Sequence, residues 1–380
     1  MSKISRFNFL LLLFDFLKKY PLRRRFWILK DYLSLYKKKF LTFDEYYNFE
    51  FDKKDEYFKD TFLGITEKRF YIDLLNPIFF HCCSRDKYIT HKIFEEIGIK
   101  TSTLYCYYQP IGEIIKTESD TIIANTLEDV IKILKRQNVS SFVIKLTNSS
   151  HGNGVEVIKN IEYQENNAIL TKYNGEIIKL SDILANIPLI FENVIQQTKQ
   201  ISKFNSSSIN TVRFMTTLWP NGDAKIIATF IKIGRIGRCV DNAGSGGNID
   251  AGIDIESGKI FNAIQFDGWR KTKEIEIHPD SKYQLNGVII DNWESIKEEV
   301  KKFQKAFPYC KAAGWDIAIT DNGPVVVEIN DSWDATGQYF IQKGWRNEIR
   351  DCYFAWKKEN SIYSNRIACN LTEKQKNKFI

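Results

Sequence analysis

The residues best suited to chemistry lie between Ala313 and Asn330. Asp316, Ile317, Ala318 and Ile319 form one short run, and Val325 to Ile329 form a β-branched run broken only by Glu328. Asp321-Asn322-Gly323 between them is turn chemistry, because Asn and Gly accept positive φ. The stretch therefore reads as a β-hairpin. Alternate residues of a strand share a face, so Glu328 and Asn330 point one way and Ile329 the other, with Asp316 beside them on the partner strand. Three oxygen-bearing side chains on one face suit a hard divalent cation such as Mg²⁺. A solvated hairpin face carrying ordinary charges accounts for the same residues, and spacing leaves both readings open.

Other polar residues sit at strand ends upstream. Ser141 to Leu146 reads as a strand carrying Lys145, followed by the small, glycine-containing loop Thr147-Asn148-Ser149-Ser150-His151-Gly152-Asn153-Gly154. The backbone N–H groups of such a loop can face phosphate oxygens, with Lys145 adding a point charge. No Gly-Lys-Ser/Thr closes the loop, so it is not a Walker loop, and a plain hairpin turn explains it equally well. Pro188 to Gln197 reads as a strand stopping at a polar bend, where Glu192-Asn193-Val194 would offer backbone groups to a purine edge. Asn210 to Leu218 alternates, with Arg213 on the face opposite Val212 and Phe214; an inward Arg requires an anion. Beyond the strand Ala224 to Ile233 comes a glycine-dense segment led by Arg235 and Arg238 and containing Asn242 and Asn248. Flexible backbone beside fixed cations suits a loop closing on an anionic substrate, although an ordinary surface loop has the same composition.

These strands need a scaffold. The chain has 380 residues, 43% of them hydrophobic and 14% aromatic, enough for two or three lobes with large cores. The formal charge is +7, but residues 1–39 hold eleven Lys or Arg against two Asp, which leaves the remainder close to neutral. The basicity thus belongs to one end and does not mark a nucleic-acid-binding body. Phe7 to Leu17 is apolar but too short to span a membrane, and neither the basic-before nor the small-after pattern of a signal peptide is clear around it. It reads either as a helix packed on the body or as an interfacial helix whose basic neighbours meet anionic lipid. Seven cysteines at irregular spacing, with no CxxC pair, and four scattered histidines give no support to zinc or dithiol motifs. Reduced, structural thiols in a cytoplasmic protein are expected, with the inner face of the cytoplasmic membrane as the site if residues 1–39 touch lipid. Asp86 to Ile99 predicts a helix ended by Gly98, Leu127 to Leu134 another, and Glu294 to Phe307 a third leading into the hairpin. The expected segments are a helical region over 1–60, a mixed region over 61–125, a nucleotide lobe over 126–200, a C-terminal lobe with the metal site over 201–350, and a helix and tail over 351–380.

The order Lys145, Asn148–Gly154 loop, Glu192-Asn193-Val194, Asn210-Thr211-Val212-Arg213, Gly244–Gly247 loop, Asp316 and Glu328-Ile329-Asn330 resembles the ATP-grasp superfamily. Gly246 to Asp250, His278-Pro279-Asp280 and Glu328-Ile329-Asn330 are similar to its sugar-transfer-associated members in bacterial polysaccharide clusters. The resemblance covers about residues 80–345. It implies an α+β fold, a clamp of two antiparallel-sheet lobes with helices holding ATP between them, preceded by the helical N-terminal region. It also implies Lys145, Ser149, Ser150 and Gly152 at the ATP phosphates and Glu192 and Val194 at adenine. Asp316, Glu328 and Asn330 would hold one or two Mg²⁺, and Arg213 would face the transferred phosphoryl group. Lys87 would begin a helix on the nucleotide side. Arg235, Arg238, Asn242 and Asn248 are expected at the substrate. The reaction implied is carboxylate–amine ligation through an acyl phosphate, joining an amine or amino acid to an acidic sugar in capsule or O-antigen synthesis. No Ser-His-Asp or Cys-His constellation is needed for it. The rival expectations are a kinase on the same fold, a nucleotide-binding scaffold in a glycan assembly complex and, without a Rossmann or Asp-x-Asp signature, a glycosyltransferase.

Overall fold

The computed structural model describes residues 13–14, 16–112, 121–149, 154–237, 247–268, 270–359, 372 and 377–378. Among them the six longest helices are α1 (Leu22–Lys39), α2 (Ile65–Leu75), α3 (Lys87–Ile97), α4 (Leu127–Arg136), α5 (Trp293–Ala306) and α6 (Arg346–Lys358). Helix α3 starts where the Asp86 carboxylate accepts the Ile89 N–H and ends where Gly98 turns left-handed at φ 75°. Helix α4 opens on a capping box between Thr126 and Asp129.

Two seven-stranded sheets carry the rest. The first contains β1 (Leu104–Tyr108), β2 (Ile123–Ala124), β3 (Phe142–Leu146), β4 (Glu156–Tyr163), β5 (Ala168–Lys172), β6 (Ile177–Lys179) and β7 (Leu189–Glu192). Its order is β2-β1-β7-β3-β4-β5-β6, antiparallel except for the β1–β2 pair. The second contains β8 (Thr211–Leu218), β9 (Ala224–Ile233), β10 (Ile249–Ile253), β11 (Ile260–Phe266), β12 (Thr272–Glu274), β13 (Ala312–Thr320) and β14 (Gly323–Asn330). Its order is β12-β11-β10-β9-β8-β13-β14, antiparallel throughout.

Helix α4 packs the first sheet through Val130, Ile133 and Leu134. The second sheet is buried on both faces, so β13 is apolar almost throughout and Asp316 stands out in it. One face meets α5 through Val212, Phe214, Trp315 and Trp293. The opposite face presents Met215, Ala228 and Phe230 to a helical layer built from the N-terminal region, α2 and α6. That layer covers part of the face. The uncovered part, continuing past Arg213, is where the polar residues gather.

The helical layer is bolted on by polar contacts as well as by aromatic packing. Arg270 reaches Asp52 at 2.9 Å and lies over the rings of Phe16 and Tyr47. Arg346 pairs with the fully buried Glu67 at 2.8 Å. Phe16, inside the N-terminal apolar run, is buried against Tyr20, Phe43 and Tyr47, so this described part of the run packs on the body. Residues 1–12 lie outside the described residues. No helix among the described residues is long and apolar enough to cross a membrane. Among the described residues Cys82, Cys83, Cys310 and Cys352 are free thiols.

Candidate active site

Strand β13 pairs on both sides at one level: Arg213 of β8 lies opposite Asp316, and Glu328 of β14 lies opposite it on the other edge. Opposed residues of an antiparallel ladder share a face, so Arg213, Asp316 and Glu328 form one row. Asn330 lies opposite Gly314, two residues along the same face. The partner of Asp316 is Glu328 and that of Ile317 is Val326, so Val327 is the extra residue of a β-bulge beside the site. A Cβ at Gly314 would come within 3.1 Å of the Arg213 guanidinium and 3.2 Å of its Cδ, so glycine there makes room for the arginine to lie across β13.

The Asp316 carboxylate is the hub. Arg213 donates to it twice, at 2.6 and 2.8 Å, and Lys232 of β9 approaches at 3.0 Å. Asp316 and Lys232 are both at least nine-tenths buried. Burial alone raises the Asp316 pKa, but Arg213 and Lys232 outweigh it and hold the carboxyl at about 2. Burial likewise works against the Arg213 charge, and Asp316 more than restores it.

The first sheet supplies the facing wall. Val143, Lys145 and Glu192 share a face because Val143 lies opposite Glu192. Lys145 and Glu192 form a 2.6 Å ion pair with both side chains largely buried. Past Glu192 the chain is pinned by Asn193, whose N–H donates to Thr103 O at 2.9 Å and whose Oδ1 accepts the Thr103 N–H at 2.7 Å. Val194 follows at the cleft wall. Lys87, the first residue of α3, spans the two walls. Its Nζ donates to Ser149 O at 2.7 Å and stands 4.0 Å from the Glu328 carboxylate. Burial lowers the Lys87 pKa, Glu328 raises it and Lys145 lowers it, with a net downward shift.

These residues enclose one cavity of about 470 Å³, within the size range of nucleotide and cofactor pockets. Val143, Val157, Ile158 and Ile195 give it apolar lining, and Lys87, Lys145, Lys232, Asp316 and Glu328 charged lining. The arrangement suits a ligand with a flat apolar part and a polyanionic part.

The structure brings together Lys145, Ser149, Glu192, Val194, Asp316 and Glu328 at the cleft, with Arg213 and Asn330 on the same sheet face. Ser150 and Gly152 of the phosphate loop, and Arg238 and Asn242 of the substrate set, lie outside the described residues. Arg235 is tied down: both ends of its guanidinium fork bind Asp280 at 2.6 Å. Hydrogen bonding from Arg235 holds Asp280 at about 2. The buried side chain of Asn248 accepts the Arg235 N–H at 3.2 Å. His278, made less basic by burial, bonds Gly234 O through Nε2 and accepts the Asp280 and Ser281 N–H groups at Nδ1. Arg235, Asn248 and His278-Pro279-Asp280 thus anchor the two ends of the glycine-rich segment. In this state the partners of Arg235 and Asn248 are protein groups, and a substrate contact would need Arg235 to leave Asp280.

The donor set fits Mg²⁺ in chemistry, with hard oxygens on Glu328, Asn330 and Asp316. Among the described residues no group of three His, Cys, Asp or Glu side chains is placed to hold a metal ion, so a site here would need the amide of Asn330 as its third donor. Its Nδ2 turns toward Gly314 O and Asp316, both at 3.4 Å, which leaves the amide oxygen at the other end. Glu328 is 37% exposed toward the cleft. Asp316 differs, because both its oxygens already carry cations, and it would join a metal only by exchanging one of them.

Sequence reasoning did not assign Lys232 a role. A lone lysine near the end of an apolar strand looks ordinary, and only the β9–β8–β13 adjacency shows that it meets Asp316. The Arg235–Asp280 pair was also unseen, because its partners lie 45 residues apart. The usable signal was the inward arginine, which demanded an anion that the spacing could not identify.

The model of the family described as sugar-transfer associated ATP-grasp matches residues 66–352. The chain belongs to that family. The two-sheet clamp with its cleft and preceding helical region is the α+β architecture that the resemblance implied. A search of curated proteins found no match. Among solved structures, D-alanine–D-alanine ligase from Helicobacter pylori is 14% identical, with 73% of this chain and 61% of that one covered and a TM-score of 0.37. Biotin carboxylase from Campylobacter jejuni is 10% identical, covering 78% and 53%, with a TM-score of 0.43. D-alanyl-alanine synthetase A from Vibrio cholerae is 10% identical, covering 73% and 67%, with a TM-score of 0.39. The chain therefore spans little more than half to two thirds of these proteins' length, and the likenesses carry no functional argument.

Proposed function

We propose that this ATP-grasp protein is an ATP-dependent carboxylate–amine ligase working through an acyl phosphate. The observation that carries the reading is the cleft itself. Lys145 from the first sheet, Lys232 from the second and Lys87 between them line one cavity with Asp316, Glu328 and a set of apolar side chains, and Arg213 and Asn330 lie on the same sheet face beside it. Val143, Val157 and Ile195 would receive the adenine, with Glu192 and Val194 at its edge. Lys145, Lys87 and the Ser149 segment would receive the phosphates. Asp316, Glu328 and Asn330 would hold Mg²⁺, which when bound neutralises phosphate charge and orients the phosphates.

In the first step a substrate carboxylate oxygen attacks the γ-phosphorus and the bond to the ADP oxygen breaks. Acyl phosphate and ADP result. Arg213 and Lys232 lie on the sheet face beneath and would stabilise the charge on the transferring group. In the second step an amine attacks the acyl carbon, the carbon–oxygen bond to phosphate breaks, and amide and inorganic phosphate leave after the amine loses a proton. Neither step needs a protein nucleophile. The protein positions reactants and supplies fixed charge.

The family's association with sugar transfer supports an acidic sugar, such as a uronic acid, as the carboxylate, and an amino acid or other amine as its partner in surface polysaccharide synthesis. The test is ADP release with Mg·ATP over a panel of uronic and amino acids, with hydroxylamine present. Hydroxamate formed in step with ADP supports the ligase. A stable phosphorylated product instead would make the protein a kinase, and no carboxylate-dependent ADP release, with glycan assembly intact in a Glu328→Ala strain, would make it a scaffold.

A further inference from the structure

The sequence places the lipid question in the apolar run Phe7–Leu17, yet Phe16 of that run is only 1% exposed and sits in the core. Phe14 of the run is 66% exposed, and among the described residues the longest row of exposed apolar side chains is on the next helix. In α1, Ile28 and Leu35 face inward, while Leu22 is 78% exposed, Phe26 66%, Leu33 49% and Tyr36 47%. At about 100° per residue these four, with the half-buried Leu29 between them, fall on one stripe along the helix. The exposed Arg23, Lys30 and Lys37 each follow a stripe residue in sequence, so they line one margin of the stripe. Trp27 is exposed further round, with the Lys30 ammonium 5.2 Å from its ring. The single acidic residue of α1, Asp31, is turned away and bound to Lys59 at 2.9 Å and to the Tyr46 hydroxyl at 2.9 Å.

We propose that α1 docks the protein flat on an anionic lipid bilayer, independently of any ligase chemistry. Leu22, Phe26, Leu33 and Tyr36 would enter the interface, and Arg23, Lys30 and Lys37 would sit at the headgroups. The charge pattern selects this occupant. A helix with a continuous apolar stripe, an aromatic content of Phe, Trp and Tyr and a flank of cations free of carboxylates matches an interfacial helix. Another copy of the same basic flank would be repelled. Because α1 belongs to the helical layer that covers the β8–β9 face, docking would hold the whole clamp at the membrane surface.

The test is sedimentation of the full chain with vesicles of phosphatidylcholine alone and of equal parts phosphatidylcholine and phosphatidylglycerol. Binding to the mixed vesicles, none to the neutral ones, and release by salt are expected. Each basic residue near an anionic surface contributes about 1 kcal/mol, or about fivefold, so Arg23→Gln/Lys30→Gln/Lys37→Gln should weaken binding about a hundredfold. Phe26→Glu/Leu33→Glu should abolish it. Both variants change only exposed side chains, so unchanged melting temperatures and ADP release separate lost docking from lost folding. Absence of wild-type binding to mixed vesicles, or variants that bind as the wild type does, would overturn the proposal. So would a wild-type dimer that Leu33→Glu splits while lipid binding is absent.

Discussion

Replacing Asp316 with Asn removes one charge and almost no volume at the most connected point of the site. The carboxylate holds Arg213 by two hydrogen bonds of 2.6 and 2.8 Å and Lys232 at 3.0 Å, with all three groups largely buried. Without it, the two cations lose the anion that both approach. Breaking a buried pair by removing one partner costs about 3–5 kcal/mol, because the remaining charge stays desolvated. The pKa gives an independent figure. A carboxyl held at about 2 instead of its usual 3.8 contributes roughly 2–3 kcal/mol. The sign follows from the depressed pKa: the contribution is present above pH about 4 and disappears as pH falls toward 2. Denaturant unfolding of wild type and Asp316→Asn should therefore differ by about 3 kcal/mol at neutral pH, with the gap closing by pH 2. The double variant Arg213→Met/Asp316→Leu should lose less than the sum of its single changes, since the pair leaves together. Equal stability of Asp316→Asn and wild type at pH 7, or strict additivity in the double variant, would refute the hub.

Further expectations concern other parts of the molecule. Lys87→Met removes a charge-assisted hydrogen bond to the Ser149 carbonyl and the cation facing Glu328, so nucleotide affinity by calorimetry should fall roughly tenfold to a hundredfold. A Cβ at Gly344 would lie 2.0 Å from the Thr61 carbonyl group, so Gly344→Ala should cost about 3 kcal/mol or more in chemical denaturation; a normal midpoint would contradict this packing. Burial lowers Lys39 and Lys68 to about 8 from the usual 10.5. The folded state therefore binds those protons less tightly than the unfolded state, and stability should rise between pH 8 and 9, as read by melting temperature.

The hairpin was legible because its signals are local. Asp321-Asn322-Gly323 dictates a turn, alternation sets which side chains share a face, and β13 and β14 realise that register. The bulge at Val327 was not legible, since it arises from how β14 must bend beside β13. The strand carrying Arg213 could be read, together with its need for an anion, but naming Asp316 as that anion requires a contact across 103 residues. Lys232 and Asp280 escaped for the same reason. The apolar run Phe7–Leu17 left packing and lipid contact both open, because burial is decided by what the rest of the chain covers. Aromatic residues of the N-terminal region wrap Phe16 and leave the less hydrophobic α1 with the exposed stripe.

The ligase reading stands or falls on the fate of one oxygen. If an acyl phosphate forms, an oxygen of the substrate carboxylate must leave with the phosphate. With the acid that best stimulates ADP release, supplied with heavy oxygen in its carboxylate, mass spectrometry of the released inorganic phosphate should find one heavy oxygen per turnover. Glu328→Ala should form neither ADP nor labelled phosphate. Phosphate released without label while amide accumulates, or full turnover by Glu328→Ala, would contradict carboxylate activation at this cleft.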